Sequence, residues 1–296
     1  MSRKVADMLW EMLANAGVKR CYGIVGDALN PVIDALRRNG KIEFIHVRHE
    51  EYGVFAAVAE AYLTGNPVAV CGTAGPGVVH LFNGLMDARK EGAPVIAIAG
   101  DVETKLIDTG ALEELNPYKF FEAASLYTGR LVNPEQARAI INTAILTAVT
   151  EKGPTVISIP GDVASADAAE QSSKISIPTA PIFRPSDADL NQLATMIDAA
   201  KTVSIFGGDG CRDARDEVIE LAARYIPRAQ KRSLGALTHM VINRLEERAI
   251  PPSHGNRPPS AEEITWTRDS FSWKLFACVT LYSVLGLFAR ERIWYR

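Results

Sequence analysis

The stretch IEFIHVRHEEYGVFAAVAEAYLTGNPVAVCGTAGPG, residues 42–77, contains two short apolar runs on either side of one helical pattern. Residues 42–47 and 67–72 are mostly apolar and lack polar alternation, which is typical of strands that are covered on both faces. Residues 50–64 repeat small and apolar side chains at helical spacing and end before Gly65, a helix stop signal. The stretch therefore predicts a strand, a helix and a second strand, the unit from which parallel sheets are built.

The same alternation of strands and helices extends over residues 3–165. It predicts an α/β three-layer sandwich, in which helices cover both faces of a parallel sheet. The predicted helices span residues 3–16, 28–38, 50–64, 77–90 and 134–151, and the predicted strands span residues 20–26, 42–47, 67–72, 93–100 and 154–162.

The length of 296 residues and several shifts in composition predict more than one domain. Residues 1–165 form the first predicted domain, and residues 166–186 are a small, polar and Pro-rich linker. Residues 187–223 contain a helical pattern at 187–200, then an apolar run, a Gly-rich turn and a second helical pattern. They are predicted to be the start of a central Rossmann-like domain that is cut short. Residues 224–296 form an unassigned tail.

The tail, residues 224–296, differs in composition from the rest of the chain. It has 12 Lys and Arg against 6 Asp and Glu, whereas residues 1–223 have 20 against 29. We expect one helix at about 233–249, a Pro-rich break and poor packing on the rest, as in a frameshifted or fused reading frame. Residues 271–289 carry one charge in 19 positions, close to the roughly 20 residues that span a bilayer. A buried helix, an interfacial helix and a membrane span are the alternatives there.

The overall composition is that of a globular protein without a disulfide framework. Hydrophobic residues make up 47% of the chain and charged residues 23%, as in globular proteins. The four cysteines have neither metal-site spacing nor a disulfide framework, so we expect reduced thiols in the cytoplasm. Peripheral membrane contact through residues 271–289 is the alternative to a purely cytoplasmic location. The net charge is −3, and we expect no nucleic-acid partner.

A charge cluster begins the otherwise small and apolar helix predicted at residues 50–64. It consists of Arg48, His49, Glu50 and Glu51. One interpretation is ordinary helix capping, because acidic groups are favoured at the positive end of the helix dipole. The other is that one carboxylate is shielded from water in order to handle a proton. The stretch alone leaves both interpretations open.

Three segments together resemble the N-terminal pyrimidine-binding domain of thiamin-diphosphate-dependent 2-oxo acid decarboxylases. They are GVKRCYGIVGDALN (17–30), RHEEYGVFAAVAEAYLTG (48–65) and GTAGPGVVHLFNGLMDARKEGAPVIAIAG (72–100). Within that superfamily the segments GDALN and GPGVVHLFNGLMDA are similar to those of pyruvate oxidases and quinone-dependent pyruvate dehydrogenases. The resemblance covers about residues 3–223.

The resemblance implies that Glu50 hydrogen-bonds to the pyrimidine ring nitrogen of thiamin diphosphate and so helps the cofactor's own amino group to remove a proton. We interpret Glu51 as a solvated acidic residue in the first turn of the helix. The other cofactor-binding residues that the resemblance implies are Gly26, Asp27, Gly75, His80 and Asn83. For each of them a structural role remains the alternative: a strand-to-helix turn, tight backbone geometry, or an ordinary helix position.

Two positions depart from the family's pattern. Leu112 and Glu113 stand where relatives of the pyruvate oxidase type usually have Phe and Gln facing the substrate, so the identity of the 2-oxo acid stays open. Glu114 is the one residue of that motif that matches.

The family also uses Mg²⁺, and its pyruvate oxidase branch uses FAD; its members form homodimers or homotetramers. Its diphosphate site carries Gly-Asp-Gly followed by Asn-Asn. Residues 208–210 read Gly-Asp-Gly, but no Asn-Asn follows, so we interpret Asp209 as structural and predict no metal ligand in this chain. The Mg²⁺ and FAD sites are expected only in full-length relatives.

The resulting expectation is oxidative decarboxylation of a 2-oxo acid, pyruvate first, in full-length members. This chain is interpreted as a truncated form that is inactive on its own. The alternatives are an acetolactate-synthase-like carboligase and a non-catalytic fragment that binds relatives or a membrane surface.

Overall fold

The computed structural model describes residues 2–169, 172–178, 183–200, 203, 205 and 207–225. The chain divides between residues 180 and 181 into two units. The helix expected at 233–249, the Pro-rich break and the apolar segment 271–289 lie outside the described residues. None of the helices that the structure does describe is long and apolar enough to cross a membrane.

The first unit alternates strands and helices along the chain. Its elements are α1 (Val5–Asn15), β1 (Arg20–Gly23), α2 (Asn30–Asn39), β2 (Glu43–His46), α3 (Glu50–Thr64), β3 (Val68–Gly72), α4 (Pro76–Glu91), β4 (Val95–Asp101), α5 (Pro117–Phe121), β5 (Tyr127–Arg130), α6 (Ala137–Thr150), β6 (Thr155–Pro160) and α7 (Gly161–Ser165). The strands form one sheet of order β2-β1-β3-β4-β6-β5, and every adjacent pair is parallel.

Two hydrophobic cores, one on each face of the sheet, make the unit a three-layer sandwich. One core lies between the sheet and α1, α2, α6 and α7, and the other between the sheet and α3, α4 and α5. In β3, Ala69 and Cys71 contribute to the first core, and Val68 and Val70 to the second. Alternate side chains of a strand point to opposite faces, so a strand buried on both sides needs apolar residues at every position. The predicted fold class is confirmed.

Helix α3 spans Glu50–Thr64, as the sequence predicts. His49 precedes it with an extended backbone, and Glu50 and Glu51 occupy its first turn, where negative charge is favoured. Gly65 ends it with φ of 71°, a left-handed conformation that glycine adopts without the steric cost that a Cβ would add.

Three short elements were not predicted from the sequence: α5, β5 and α7. Among the strands that the structure describes, β5 is at the edge of the sheet and pairs with β6 alone, and its sequence, YTGR, has no apolar run. This composition, rather than the edge position alone, explains why the hydrophobic pattern did not reveal it, because the other edge strand, β2, has an apolar run and was predicted. The strand predicted at 20–26 ends earlier, at Gly23, and a short turn at Asp27–Leu29 leads into α2.

The second unit contains α8 (Asp187–Ala199), a turn at Asp209–Ala214 and α9 (Arg215–Tyr225). Helix α8 agrees with the helix predicted at 187–200, and Ser186 caps it by accepting a hydrogen bond from the Asp189 backbone N–H at 3.2 Å. The strand expected between α8 and this turn lies largely outside the described residues. Asp209 is the first residue of the turn.

The raised pKa of Tyr22 in β1 makes the free energy of unfolding depend on pH in the alkaline range. Its hydroxyl donates a hydrogen bond to Glu60 Oε2 on α3 at 2.7 Å. Burial and, secondly, this bond raise the pKa of Tyr22 from 10.0 to about 12. The unfolded chain therefore loses this proton first, and the free energy of unfolding should fall as the pH rises from about 10 to about 12.

We expect Tyr22→Phe to flatten this alkaline loss of stability, because phenylalanine has no proton to release. The measurement is the urea midpoint at a series of pH values from neutral to strongly alkaline. Some slope should remain, since burial also raises the pKa of Tyr127. An unchanged slope in Tyr22→Phe would contradict the assignment.

Candidate functional site

The candidate site lies where the carboxyl ends of β1, β2 and β3 meet. The helix that follows β1 packs on one face of the sheet, whereas the helix that follows β3 packs on the other. The sheet order therefore changes direction between β1 and β3, and the connections that leave these strands diverge. Such switch points at the carboxyl edge are where open α/β sheets bind ligands.

Close approaches between backbone segments hold the two diverging connections together. A Cβ at Gly26, after β1, would overlap the side chain of Thr73, after β3. A Cβ at Gly77 would lie 3.1 Å from Glu50 Oε1 and 3.1 Å from Thr73 Cγ2. The segments at 24–29 and 73–77 thus touch each other, and the second also borders Glu50.

Glu50, the first residue of α3, is the main buried charge of this region. Its side chain is 7% exposed, and its Oε2 lies 3.0 Å from Nδ1 of His80, whose side chain is 40% exposed. A buried carboxylate has several acceptor positions, and within the described residues His80 is its one side-chain hydrogen-bond partner. Oε1 has no side-chain hydrogen-bond partner in the same part of the chain.

Helices α3 and α4 must pack closely for Glu50 and His80 to meet. A Cβ at Gly84 on α4 would overlap the Cβ of Val54 on α3, so the absence of a side chain permits this approach. Val54 itself is completely buried. The small residues along both helices therefore fix the distance between the two functional side chains.

Two buried polar atoms near Glu50 have no hydrogen-bond partner among the described residues. They are Nδ1 of His49 and Oγ1 of Thr73. The His49 ring also lies 4.3 Å from the His80 ring, centroid to centroid, at an interplanar angle of 31°. Buried polar groups are nearly always paired, so these two atoms are a specific feature of this region.

Three other predicted cofactor-binding residues, Asp27, Asn83 and Gly75, make no side-chain hydrogen bond to Glu50 in the described part of the chain. Asp27 is exposed, and its carboxylate accepts a hydrogen bond from the Ala28 backbone N–H at 2.9 Å, which is a local capping contact. Asn83 donates to Glu51 Oε1 at 2.6 Å and is connected to Glu51 rather than to Glu50. Gly75, with φ of 67°, marks the start of α4.

The predicted substrate residues lie on the connection that follows β4. Glu113 has φ of 69°, and a Cβ at Gly75 would lie 2.9 Å from the Glu113 Cβ. Positive φ is uncommon for a residue with a side chain. Leu112 is 91% exposed. The structure thus brings Glu113 next to the segment at 73–77, while Leu112 points to solvent in this chain.

Glu114 organises this connection, a role that the sequence pattern did not reveal. Its carboxylate accepts hydrogen bonds from the backbone N–H groups of Asp108, of Gly110 at 2.8 Å and of Ala111 at 3.2 Å. These bonds, that from Asp108 first, hold the pKa of Glu114 below its usual value.

A buried ion pair supports the same edge of the sheet and was also missed. Arg130 Nε donates to Asp101 Oδ2 at 2.7 Å, and the two side chains are 9% and 4% exposed. Ser158 Oγ donates to the same oxygen at 2.6 Å. Burial by itself would lower the pKa of Arg130, but its hydrogen bond and charge attraction to Asp101 raise it overall. Twenty-nine positions separate the pair along the chain, too many for a local signal.

Comparison with known proteins bears on what this site is for. Residues 3–120 match the family described as "Thiamine pyrophosphate enzyme, N-terminal TPP binding domain". The chain is 43% identical over 223 residues to an uncharacterized 42.6 kDa protein of Pseudomonas amyloderamosa, covering 74% of this chain and 56% of that protein.

Two named enzymes are also similar over the same part of the chain. Pyruvate oxidase of Lactiplantibacillus plantarum is 34% identical over 213 residues, which cover 70% of this chain and 35% of the enzyme. Chloroplastic acetolactate synthase of Arabidopsis thaliana is 30% identical over 221 residues, which cover 73% of this chain and 33% of the enzyme. The chain thus spans about a third to a little over half of the length of these relatives. Residues 3–120 thus match the N-terminal TPP binding domain of thiamine pyrophosphate enzymes, and the similarity to these two enzymes extends over 70% and 73% of this chain.

Proposed function

We propose that the first unit binds the aminopyrimidine half of thiamin diphosphate and that Glu50 is the carboxylate that shares a proton with the pyrimidine ring nitrogen. The observation that carries this proposal is the burial of Glu50 at the switch point, where His80 is its one side-chain partner among the described residues. A shielded carboxylate forms stronger hydrogen bonds than a solvated one, so it can bias the tautomer of a bound ring.

The residues around Glu50 are compatible with such a ring. His80 fixes Oε2, which leaves Oε1 beside Gly77 for the ligand. The unpaired atoms of His49 and Thr73 are polar groups of the kind that a heteroaromatic amine would satisfy. Gly26 and Gly75 allow the segments around them to approach Thr73 and Glu113 closely, which draws together the loops at the strand ends where we propose that the ring binds. The bound cofactor supplies an electron sink for decarboxylation of a 2-oxo acid.

The reaction that we propose for the complete enzyme is oxidative decarboxylation of a 2-oxo acid, with pyruvate as the first substrate to test. Mg²⁺, FAD and a homodimeric or homotetrameric assembly belong to this proposal. An acetolactate-synthase-like carboligase is an equal second candidate, because acetolactate synthases are among the relatives. Product analysis separates them: carboligation of two pyruvates gives acetolactate without consuming an electron acceptor, whereas oxidative decarboxylation consumes one. A domain that binds the cofactor or relatives without catalysis is a third alternative.

The diphosphate half of the cofactor requires other residues. Mg²⁺ in diphosphate sites takes oxygen ligands. Within the described residues, the one group of three or more His, Cys, Asp and Glu side chains close enough to share a metal is His49, Glu50 and His80, and two of these offer nitrogen. The full sequence also has no Asn-Asn after Gly-Asp-Gly at residues 208–210, so we propose that this chain depends on residues outside it for holding the diphosphate and for turnover.

The test is calorimetric titration of the purified 296-residue chain with thiamin and with thiamin diphosphate in the presence of Mg²⁺. We expect both to bind, with affinities that differ by less than roughly tenfold, or 1.4 kcal/mol. Both ligands carry the same aminopyrimidine, so recognition of that half alone cannot separate them.

Failure of both ligands to bind would contradict the pyrimidine-binding proposal. Thiamin diphosphate binding far more tightly than thiamin would instead show that the chain holds the diphosphate itself. Pyruvate turnover with Mg²⁺, FAD and an electron acceptor would likewise show a complete site.

A further inference from the structure

His49, Glu50 and His80 form a cluster whose chemistry extends beyond cofactor binding; we name it the His–Glu–His cluster. Each residue offers one ligand atom, and these atoms all lie within 4.8 Å of one another. Two imidazoles and one carboxylate are also the ligand set of several zinc sites with an open fourth position.

Two side chains of the cluster have few hydrogen-bond partners for buried polar groups. The Glu50 carboxylate is nearly completely buried, yet its one side-chain partner among the described residues is His80, at 3.0 Å. The Nδ1 atom of His49 is buried without any partner in that same part of the chain. A buried charge costs free energy unless it is paired, so both the carboxylate and the free imidazole nitrogen favour a cation between them.

One of the three ligand-atom pairs already has nearly the spacing of a tetrahedral shell. Ligand atoms about 2.0–2.2 Å from a zinc ion lie roughly 3.4 Å from one another, compared with the 3.0 Å between His80 Nδ1 and Glu50 Oε2. The two imidazoles are already side by side, at 4.3 Å between ring centroids. The three ligand atoms lie within 4.8 Å of one another, so side-chain rotations that shorten the wider spacings would bring all three to bonding distance.

We propose that the His–Glu–His cluster binds a divalent transition-metal ion, Zn²⁺ or Co²⁺, through one nitrogen of each histidine and the Glu50 carboxylate. Imidazole ligands favour these ions over Mg²⁺ and Ca²⁺, which take oxygen ligands. The fourth position stays open to water.

Metal binding at this cluster has a consequence that rests on the proposed function. Glu50 cannot ligate a metal and share a proton with the pyrimidine nitrogen through the same carboxylate. The ion and the aminopyrimidine should therefore exclude each other, and Zn²⁺ should act as a competitive inhibitor of cofactor binding.

The experiment is Co²⁺ titration of the full chain, followed by visible absorption and by calorimetry, with no thiamin compound present. The variants are His49→Asn, His80→Gln and Glu50→Gln. His46→Asn is the matched control, because His46 is an exposed histidine outside the cluster. Circular dichroism and a thermal melt establish that each variant is folded.

We expect each cluster variant to lose more affinity than the roughly 10–100-fold that removal of an outer-shell partner costs. His46→Asn should keep the affinity of the parent chain. His239 and His254, outside the described residues, remain in every variant and so cannot explain a difference between them. Folded cluster variants that bind Co²⁺ as tightly as the parent, or a thiolate-to-cobalt charge-transfer band in place of the nitrogen and oxygen spectrum, would overturn the proposal.

A second titration tests exclusion, with thiamin diphosphate added to chain loaded with Zn²⁺. We expect the apparent cofactor affinity to fall in proportion to free Zn²⁺, and simultaneous binding of both would overturn the exclusion. A chain that binds Co²⁺ at the cluster but no thiamin compound would refute the proposed function while leaving the metal site supported.

Discussion

Glu50→Gln should weaken the binding of thiamin diphosphate by about 10- to 150-fold, whereas Glu51→Gln should leave it within about twofold. A hydrogen bond to a charged group is worth about 1.5–3 kcal/mol, and glutamine of the same shape has no charge and cannot exchange a proton with the ring. Glu51 differs because its carboxylate is already engaged by Asn83 on the helix surface. Surface substitutions of this kind usually change free energies by less than about 0.5 kcal/mol.

Comparison of the Glu50 and Glu51 variants distinguishes a cofactor-binding role of Glu50 from an ordinary helix-capping role. Both are in the first turn of α3, so both lose the same favourable interaction with the helix dipole when they are neutralised. Any difference in cofactor affinity between the two variants therefore reports the surroundings of Glu50. Equal affinities in the two variants would contradict its assignment and restore the capping interpretation for both residues.

Arg130→Met should lower the free energy of unfolding by about 3–5 kcal/mol, the largest stability effect that we expect in this chain. The substitution removes the cation from a pair in which both side chains are almost completely buried, and leaves the Asp101 carboxylate without its counter-charge. Ser158 and the Val102 backbone N–H continue to donate to Asp101, but neither carries a charge. Urea unfolding at neutral pH measures the loss.

A double variant distinguishes the buried charge from lost packing. Asp101→Asn in the Arg130→Met background removes the unpaired charge but does not restore the arginine side chain. We expect the double variant to be more stable than Arg130→Met alone, since partners in one buried network are not additive. A double variant that is less stable than the single one would show that the loss comes from packing.

The elements that could be predicted from the sequence are those with a local pattern, such as an apolar run or residues typical of a helix end. Helix α3 lies between a charged first turn and Gly65, so both of its ends could be predicted. Strands β3 and β4 are continuous apolar runs, because helices cover both faces of the sheet there. Strand β5, at the edge of the sheet, is half-buried for the most part, and its sequence, YTGR, has no such run, so the sequence did not reveal it.

The candidate site was predictable in its residues but not in its contacts. Glu50 and His80 could be singled out through the segments that resemble a known family, yet 30 positions separate them. The α3–α4 packing at Gly84 and Val54 brings them together, and this depends on the folded backbone. The His49 nitrogen that lacks a partner among the described residues and the Arg130–Asp101 pair had no sequence signal, since each depends on burial that only the complete sheet provides.

The most direct test of the account is the coupling between Glu50 and the pyrimidine ring nitrogen. Thiamin diphosphate and an analogue with carbon in place of that nitrogen are each titrated into the parent chain and into Glu50→Gln. We predict that the parent chain discriminates strongly between the two ligands and that Glu50→Gln nearly loses this discrimination. The same ratio of affinities in both proteins would contradict the claim that Glu50 contacts the ring nitrogen.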